Sequence, residues 1–143
     1  MITFEGLGRV VVEYTGKFEL VSAENFDAYL SAVSVGTVTR KAASTSKPTT
    51  EVAVDGETWT IRTVTPFNTV ELVFTSGVEF TERTMDGRTS ATTITVGEDR
   101  LVQVQRVDGL VARTTWLYAE DGGMSMVHTA GDVTATRVFR RLA

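Results

Sequence analysis

The sequence predicts an all-β protein: a barrel of about ten antiparallel strands in up-and-down order, with two short helices between the first strand and the second. Three observations carry this prediction. Turn signals recur about every ten residues between residues 48 and 141. The segments between them are rich in Val, Thr, Ile, Phe and Trp, residues that suit a pleated, half-buried surface. Only one stretch of the chain has a clear helical period.

The first strand lies in Tyr14-Thr15-Gly16-Lys17-Phe18-Glu19-Leu20. Residues 1–12 read as an N-terminal extension and 13–143 as one domain. Val10-Val11-Val12 either lengthen the first strand or stand apart as an isoform feature. The helical stretch is SAENFDAYLSAV, where Phe26, Tyr29, Leu30 and Val33 fall at i, i+3, i+4 and i+7. Ser22 is its expected N-cap, and Val35-Gly36 ends the run. A second, weaker helix is expected in TVTRKAAST, stopping before Pro48; its apolar side is thin, Val38 and Ala42. About nine strands follow. Their turns are Asp55-Gly56, Pro66-Phe67-Asn68, Ser76-Gly77, Asp86-Gly87, Gly97-Glu98, Asp108-Gly109, Gly122-Gly123 and Gly131-Asp132. Two short helices cannot bury the apolar faces of nine strands, so the strands must close on one another and the helices cap one opening. A barrel of that width is too wide for side chains alone to fill and leaves a cavity.

Composition narrows the function. A chain of 143 residues is one ordinary domain, and 42% apolar residues argue against wholesale disorder. There is no cysteine, which excludes a disulfide scaffold and a Cys-ligated zinc site. The net charge of −4 argues against a nucleic-acid binder. No run of apolar residues is long enough to span a bilayer as a helix. The opening MITFEGLGRVVVEYTG does not read as a signal peptide. The expectation is a soluble, cytoplasmic protein. There is no Gly-x-Ser-x-Gly elbow, His-Glu-x-x-His pair or phosphate-binding Gly-rich loop, so neither enzyme nor cofactor is expected.

These pieces resemble one family. Tyr14-x-Gly16-x-Phe18 matches the first-strand signature of the intracellular lipid-binding proteins, the fatty-acid-binding and cellular retinoid-binding family. SAENFDAYLSAVSVGTVTRKAA matches its helix-turn-helix, with Gly36 and Arg40-Lys41. Lys47-Pro48, Asp55-Gly56, Gly77-Val78-Glu79-Phe80, Asp86-Gly87-Arg88, Leu101-Val102-Gln103-Val104-Gln105 and Thr136-Arg137-Val138-Phe139 follow in family order. The likeness runs from about residue 14 to the end. It implies a calycin-like, flattened ten-stranded barrel, a two-helix lid and one lipid inside. It further implies that Phe26 and Leu30 face the ligand from the first helix. Phe67 would stand at the portal, with Asp86 and Arg88 as a pair nearby, and Arg137 would hold the ligand's carboxylate. The implied partner is a long-chain fatty acid or related lipid, carried by a monomer that touches anionic membrane transiently through Arg40 and Lys41. For two charges alone, a solvated face is the default reading.

Two departures from the family pattern bear on the anchor. The family's Arg-x-Tyr pair reads Arg137-Val138-Phe139 here. A second internal arginine, found in many members, falls on Trp116; the nearby Arg113 has the opposite strand parity and is expected to face solvent. The pocket either shifts toward bulkier or less acidic ligands, or water fills the gap and ordinary fatty acids bind.

Alternation sets Met124, Met126 and His128 on the inward face. His128 is read either as a polar anchor or as a hydrogen-bonded interior histidine, and Met126 either as an adaptable ligand contact or as packing. Gln103 and Gln105 share an inward face, with ordered water as their expected partner. The alternative function is a structural barrel, membrane-surface or stress-protective, that binds lipid incidentally.

Overall fold

The computed structural model describes residues 2–3 and 11–143. Met1 and most of the extension, including Val10, lie outside the described residues. β1 (Ile2–Thr3) and β2 (Val11–Val12) pair with each other. The first barrel strand is β3 (Gly16–Glu24). Val11-Val12 therefore do not lengthen it: they form a separate two-stranded ladder, and no ladder residue occupies 13–15.

After β3 come α1 (Phe26–Ala32) and α2 (Thr37–Ser44). Nine strands follow without interruption: β4 (Thr49–Asp55), β5 (Thr58–Val64), β6 (Thr69–Thr75), β7 (Phe80–Arg83), β8 (Thr89–Val96), β9 (Arg100–Val107), β10 (Leu110–Tyr118), β11 (Met124–Ala130) and β12 (Val133–Arg141). Each of the eight expected turns falls between two of these strands. The ten strands form one antiparallel sheet in the order β6-β5-β4-β3-β12-β11-β10-β9-β8-β7, so first and last strands lie side by side. β6 and β7 share no ladder; the seam is bridged by single bonds. Gly77 N–H donates to the Ile94 carbonyl at 2.9 Å, and Asn68 Nδ2 donates to the Met85 carbonyl at 3.3 Å.

Ser22 is not a helix cap. It lies within β3, paired with Val138, because the strand runs on to Glu24 before the chain turns. Asn25 makes that turn at φ 61°, a left-handed conformation that asparagine tolerates, and its side chain donates to the Thr134 carbonyl at 2.9 Å. On α1 the predicted face is the packed face: Tyr29 and Val33 are buried, Phe26 and Leu30 half-buried. α2 stops before Pro48 as expected, but Val38 is 85% exposed and does not pack.

Strand alternation divides the interior. Along β11, Met124, Met126, His128 and Ala130 are all buried, and every residue between them is not. The larger core cluster holds Tyr14, Phe18, Trp59, Phe74, Tyr118, Met124 and Phe139. Tyr14 sits edge-on to Tyr118 at 4.6 Å and donates its hydroxyl to the Gly97 carbonyl. Arg141 staples this region. It donates to the carbonyls of Glu13, Thr15 and Gly122 and covers the Phe18 ring at 4.6 Å. A smaller cluster joins Tyr29, Val33 and Val35 of the helical segment to Ala112, Ala130 and Ala135 of the barrel. Both clusters contribute to the walls of an interior space.

Candidate functional site

That space is a cavity of about 770 Å³, in the size range of small-molecule sites. Most of its wall surface is apolar, but about half of the residues that line it carry polar or charged side chains. Of the residues singled out by sequence, Arg137, Trp116, Phe26, Leu30, Phe67, Asp86, Arg88, Gln105, Met126 and His128 all line it. Phe139 does not. It is 2% exposed within the larger core cluster, behind the cavity wall, with its ring 5.3 Å from the Arg137 guanidinium.

Arg137 is brought inward by the parity of β12, which it shares with Ala135. Its Nε donates to His128 Nε2 at 3.0 Å, and its guanidinium lies over the Phe26 ring at 4.1 Å. One Nη approaches the Met126 sulfur at 3.5 Å. The accepting Nε2 fixes the tautomer of His128, whose proton must sit on Nδ1, 2.9 Å from the Thr114 hydroxyl. Phe26 and Tyr29 pack against the imidazole at 5.2 and 5.0 Å. So α1 closes directly over the Arg137–His128 pair.

Burial pushes the Arg137 guanidinium down to about 10, partly offset by Tyr29, which leaves it charged at neutral pH. Burial, reinforced by the charge of Arg137, holds the His128 imidazole down to about 2. One fixed positive charge therefore stands at this wall, beside a neutral histidine. A guanidinium that gives one N–H to His128 keeps others with which to meet an acceptor.

Trp116 is buried and donates Nε1–H to Gln103 Oε1 at 3.4 Å. Arg113 is exposed, as its parity requires. One part of the lining carries ion pairs. Arg88 Nε meets Asp86 at 2.8 Å, and its other nitrogens donate to the Val33 carbonyl at 2.7 Å and to Asp108 at 3.4 Å. The Val33 carbonyl lies at the end of α1, where a cation complements the helix dipole. Arg40 is likewise committed within the lid. It donates to Asp27 at 3.2 Å and to the Val35 carbonyl at 2.8 Å, while Lys41 is exposed. Phe67 is 66% exposed at the rim.

Sequence reasoning missed Glu82. It is buried and lines the cavity, and it accepts from Thr92, Gln103 and Gln105. A protein carboxylate is thus a shared partner of the two glutamines. The signal was parity: Glu82 stands two residues from Phe80 on the same face of β7. Thr114 and the ring of Tyr29 were also missed as neighbours of His128. No helix is long and apolar enough to cross a membrane among the described residues.

Known proteins share this architecture. Residues 15–142 match the model of the lipocalin / cytosolic fatty-acid binding protein family. The sodium/calcium exchanger regulatory protein 1 of Doryteuthis pealeii is 39% identical over 135 residues, 93% of this chain and 99% of its own. A solved structure described as the REP1-NXSQ fatty acid transporter superposes with a TM-score of 0.85 at 40% identity, covering 90% of this chain and 96% of that one. The Schistosoma mansoni fatty acid binding protein in complex with arachidonic acid gives 0.88 at 33% identity, covering 91% and 96%. Barrel order, two-helix lid, interior cavity and near full-length likeness agree, and the chain belongs to the lipocalin / cytosolic fatty-acid binding protein family.

Proposed function

We propose that the protein is a carrier of a long-chain fatty acid or similar amphipathic lipid, held inside the barrel with its carboxylate on Arg137. The observation that carries this reading is a half-buried guanidinium, charged at neutral pH, on the wall of a cavity that is apolar over most of its surface. A charge in such a place is costly without a counter-ion, and His128 satisfies one donor only. A carboxylate supplies both the charge and two parallel acceptors. Chain burial supplies most of the affinity, at about 0.8 kcal/mol per CH₂. Arg137 sets orientation.

Entry is at the lid. Phe67 at the rim, α2 and the Asp86–Arg88 pair surround the mouth, and Leu30, Phe26, Trp116 and Met126 then receive the chain. Met126 adapts to different chain shapes because its thioether is flexible. Trp116 fills the position of a second cation, so the acid group rests on one arginine and the cavity takes bulkier or less acidic headgroups as well. Outside the barrel, exposed Lys41 and Val38 on α2 suit a transient contact with anionic membrane during transfer. The carrier works as a cytoplasmic monomer, with residues 13–143 as its binding domain.

Displacement of a fluorescent fatty acid tests the reading. The expected result is saturable, one-to-one competition by long-chain acids. Failure of folded protein to bind any fatty acid, retinoid or bile-type ligand would overturn it.

A further inference from the structure

Glu82 is the one charged side chain among the described residues that is fully buried, at 6% exposure. Its Oε1 accepts from Thr92 Oγ1 at 2.8 Å, Gln103 Nε2 at 3.2 Å and Gln105 Nε2 at 3.0 Å. Its Oε2 accepts from Gln105 alone, at 3.0 Å. All of these donors are neutral. No lysine, arginine or histidine nitrogen lies within ion-pair distance among the described residues. Burial pushes the carboxyl above its ordinary range, and the bonds from Thr92, Gln105 and Gln103 pull it back. Two oxygens offer about four acceptor sites, so Oε2 retains capacity that the protein does not fill.

The place of Glu82 in the barrel matters more. β7 lies five positions from β12 in a ten-stranded sheet, so Glu82 and Arg137 stand half-way round the barrel from each other. Both line the same cavity. Between them the wall carries Met126 beside Arg137, then Trp116 paired with Met126, then Gln103 bonded to both Trp116 and Glu82. Arg137 and Glu82 are thus two polar points of one cavity, with Met126 and Trp116 on the wall between them. A chain that leaves Arg137 along this wall meets Glu82.

We propose that Glu82, with Gln103 and Gln105, is a second polar subsite that accepts a hydroxyl group carried part-way along the ligand's chain. The inference rests on the carrier reading, and it narrows the ligand class to hydroxylated long-chain acids. A hydroxyl adds one more neutral donor to a carboxylate already held by neutral donors. An ammonium group is the poorer match, because the unpaired charge of Arg137 lines the same cavity and repels it.

The test compares stearic acid with stearic acids bearing a single hydroxyl at successive positions. Dissociation constants are measured by calorimetry for the wild type, Glu82→Gln and Glu82→Met. The wild type should bind at least one hydroxylated isomer about ten-fold more tightly than stearate, the scale of one bond to a charged acceptor. Glu82→Met should abolish that preference, so that stearate and the hydroxylated isomers bind with equal affinity. Glu82→Gln, which keeps the shape of the side chain, should reduce it, and this variant decides the matter if Glu82→Met does not fold. Equal affinity for stearate and every hydroxylated isomer would overturn the subsite and leave the carrier reading standing. So would a preference that survives both substitutions. Failure to bind either class would overturn the carrier reading itself, and the subsite with it.

Discussion

Arg137 donates from Nε to His128 Nε2 across adjacent strands β12 and β11, at 3.0 Å. Two residues on from Arg137, Phe139 is a core residue with no polar group to offer, and His128 of the neighbouring strand is the partner instead. A histidine thus holds one edge of the guanidinium, and a ring from the lid, Phe26, lies over its face. The charge is positioned before any ligand arrives. Such pre-organisation reduces the cost of fixing it on binding.

The state of His128 gives stability a defined pH dependence. Its folded value is about 2, against 6.5 for the free imidazole. Below about pH 6.5 the unfolded chain takes up a proton that the folded one refuses, so stability falls as pH falls. The slope is about 1.4 kcal/mol per pH unit, at most about 2 kcal/mol between pH 7 and 5. His128→Gln retains an acceptor for Arg137 and a donor for Thr114 but does not titrate. Urea unfolding at pH 7, 6 and 5 should show the wild type losing stability relative to this variant. Parallel pH profiles would show that His128 is solvated or already charged.

Arg88 ties barrel to lid, because its bond to the Val33 carbonyl reaches the end of α1 from the β7–β8 turn. Arg88→Ala should loosen the lid with little effect on the core. Amide exchange in residues 26–44 should speed up several-fold while β8–β11 stay protected. Ligand association and dissociation should both accelerate, with a smaller change in Kd. Unchanged exchange in the helices would mean that α1 is held by the Tyr29–Val33 face alone.

Tyr118 is buried, and its hydroxyl has no hydrogen-bond partner among the described residues. Burial accordingly raises its phenol far above the ordinary range. Its ring packs edge-on with Tyr14 and Phe18. Tyr118→Phe keeps the ring and removes an unsatisfied donor, so it should stabilise the protein by about 1 kcal/mol. Thermal unfolding reads this as a rise in Tm of a few degrees. A fall in Tm would reveal a partner for the hydroxyl.

How far the sequence could be read follows from what each residue answers to. The eight turns were legible because glycine, asparagine and aspartate at those sites answer to backbone geometry, which is local. The inward set on β11 was legible because strand parity is local too. Ser22 misled because a capping residue is indistinguishable from a strand residue until the strand's length is fixed by its partner, here β12. Phe139 faces inward as parity requires, but how far along the barrel the core ends and the cavity begins depends on packing from several strands. Glu82 was overlooked because a glutamate between Thr81 and Arg83 reads as surface charge. Its burial depends on Thr92, Gln103 and Gln105, which come from two other strands.

The central claim is that Arg137 recognises an acid and does more than hold the barrel together. Titration calorimetry on the wild type and Arg137→Leu, using a long-chain acid and the alcohol of equal chain length, separates the two roles. Arg137→Leu should weaken the acid at least ten-fold and the alcohol by no more than two- or three-fold, the difference a lost charge-assisted pair implies. Equal loss for acid and alcohol would contradict it, and would make Arg137 a structural residue of the barrel.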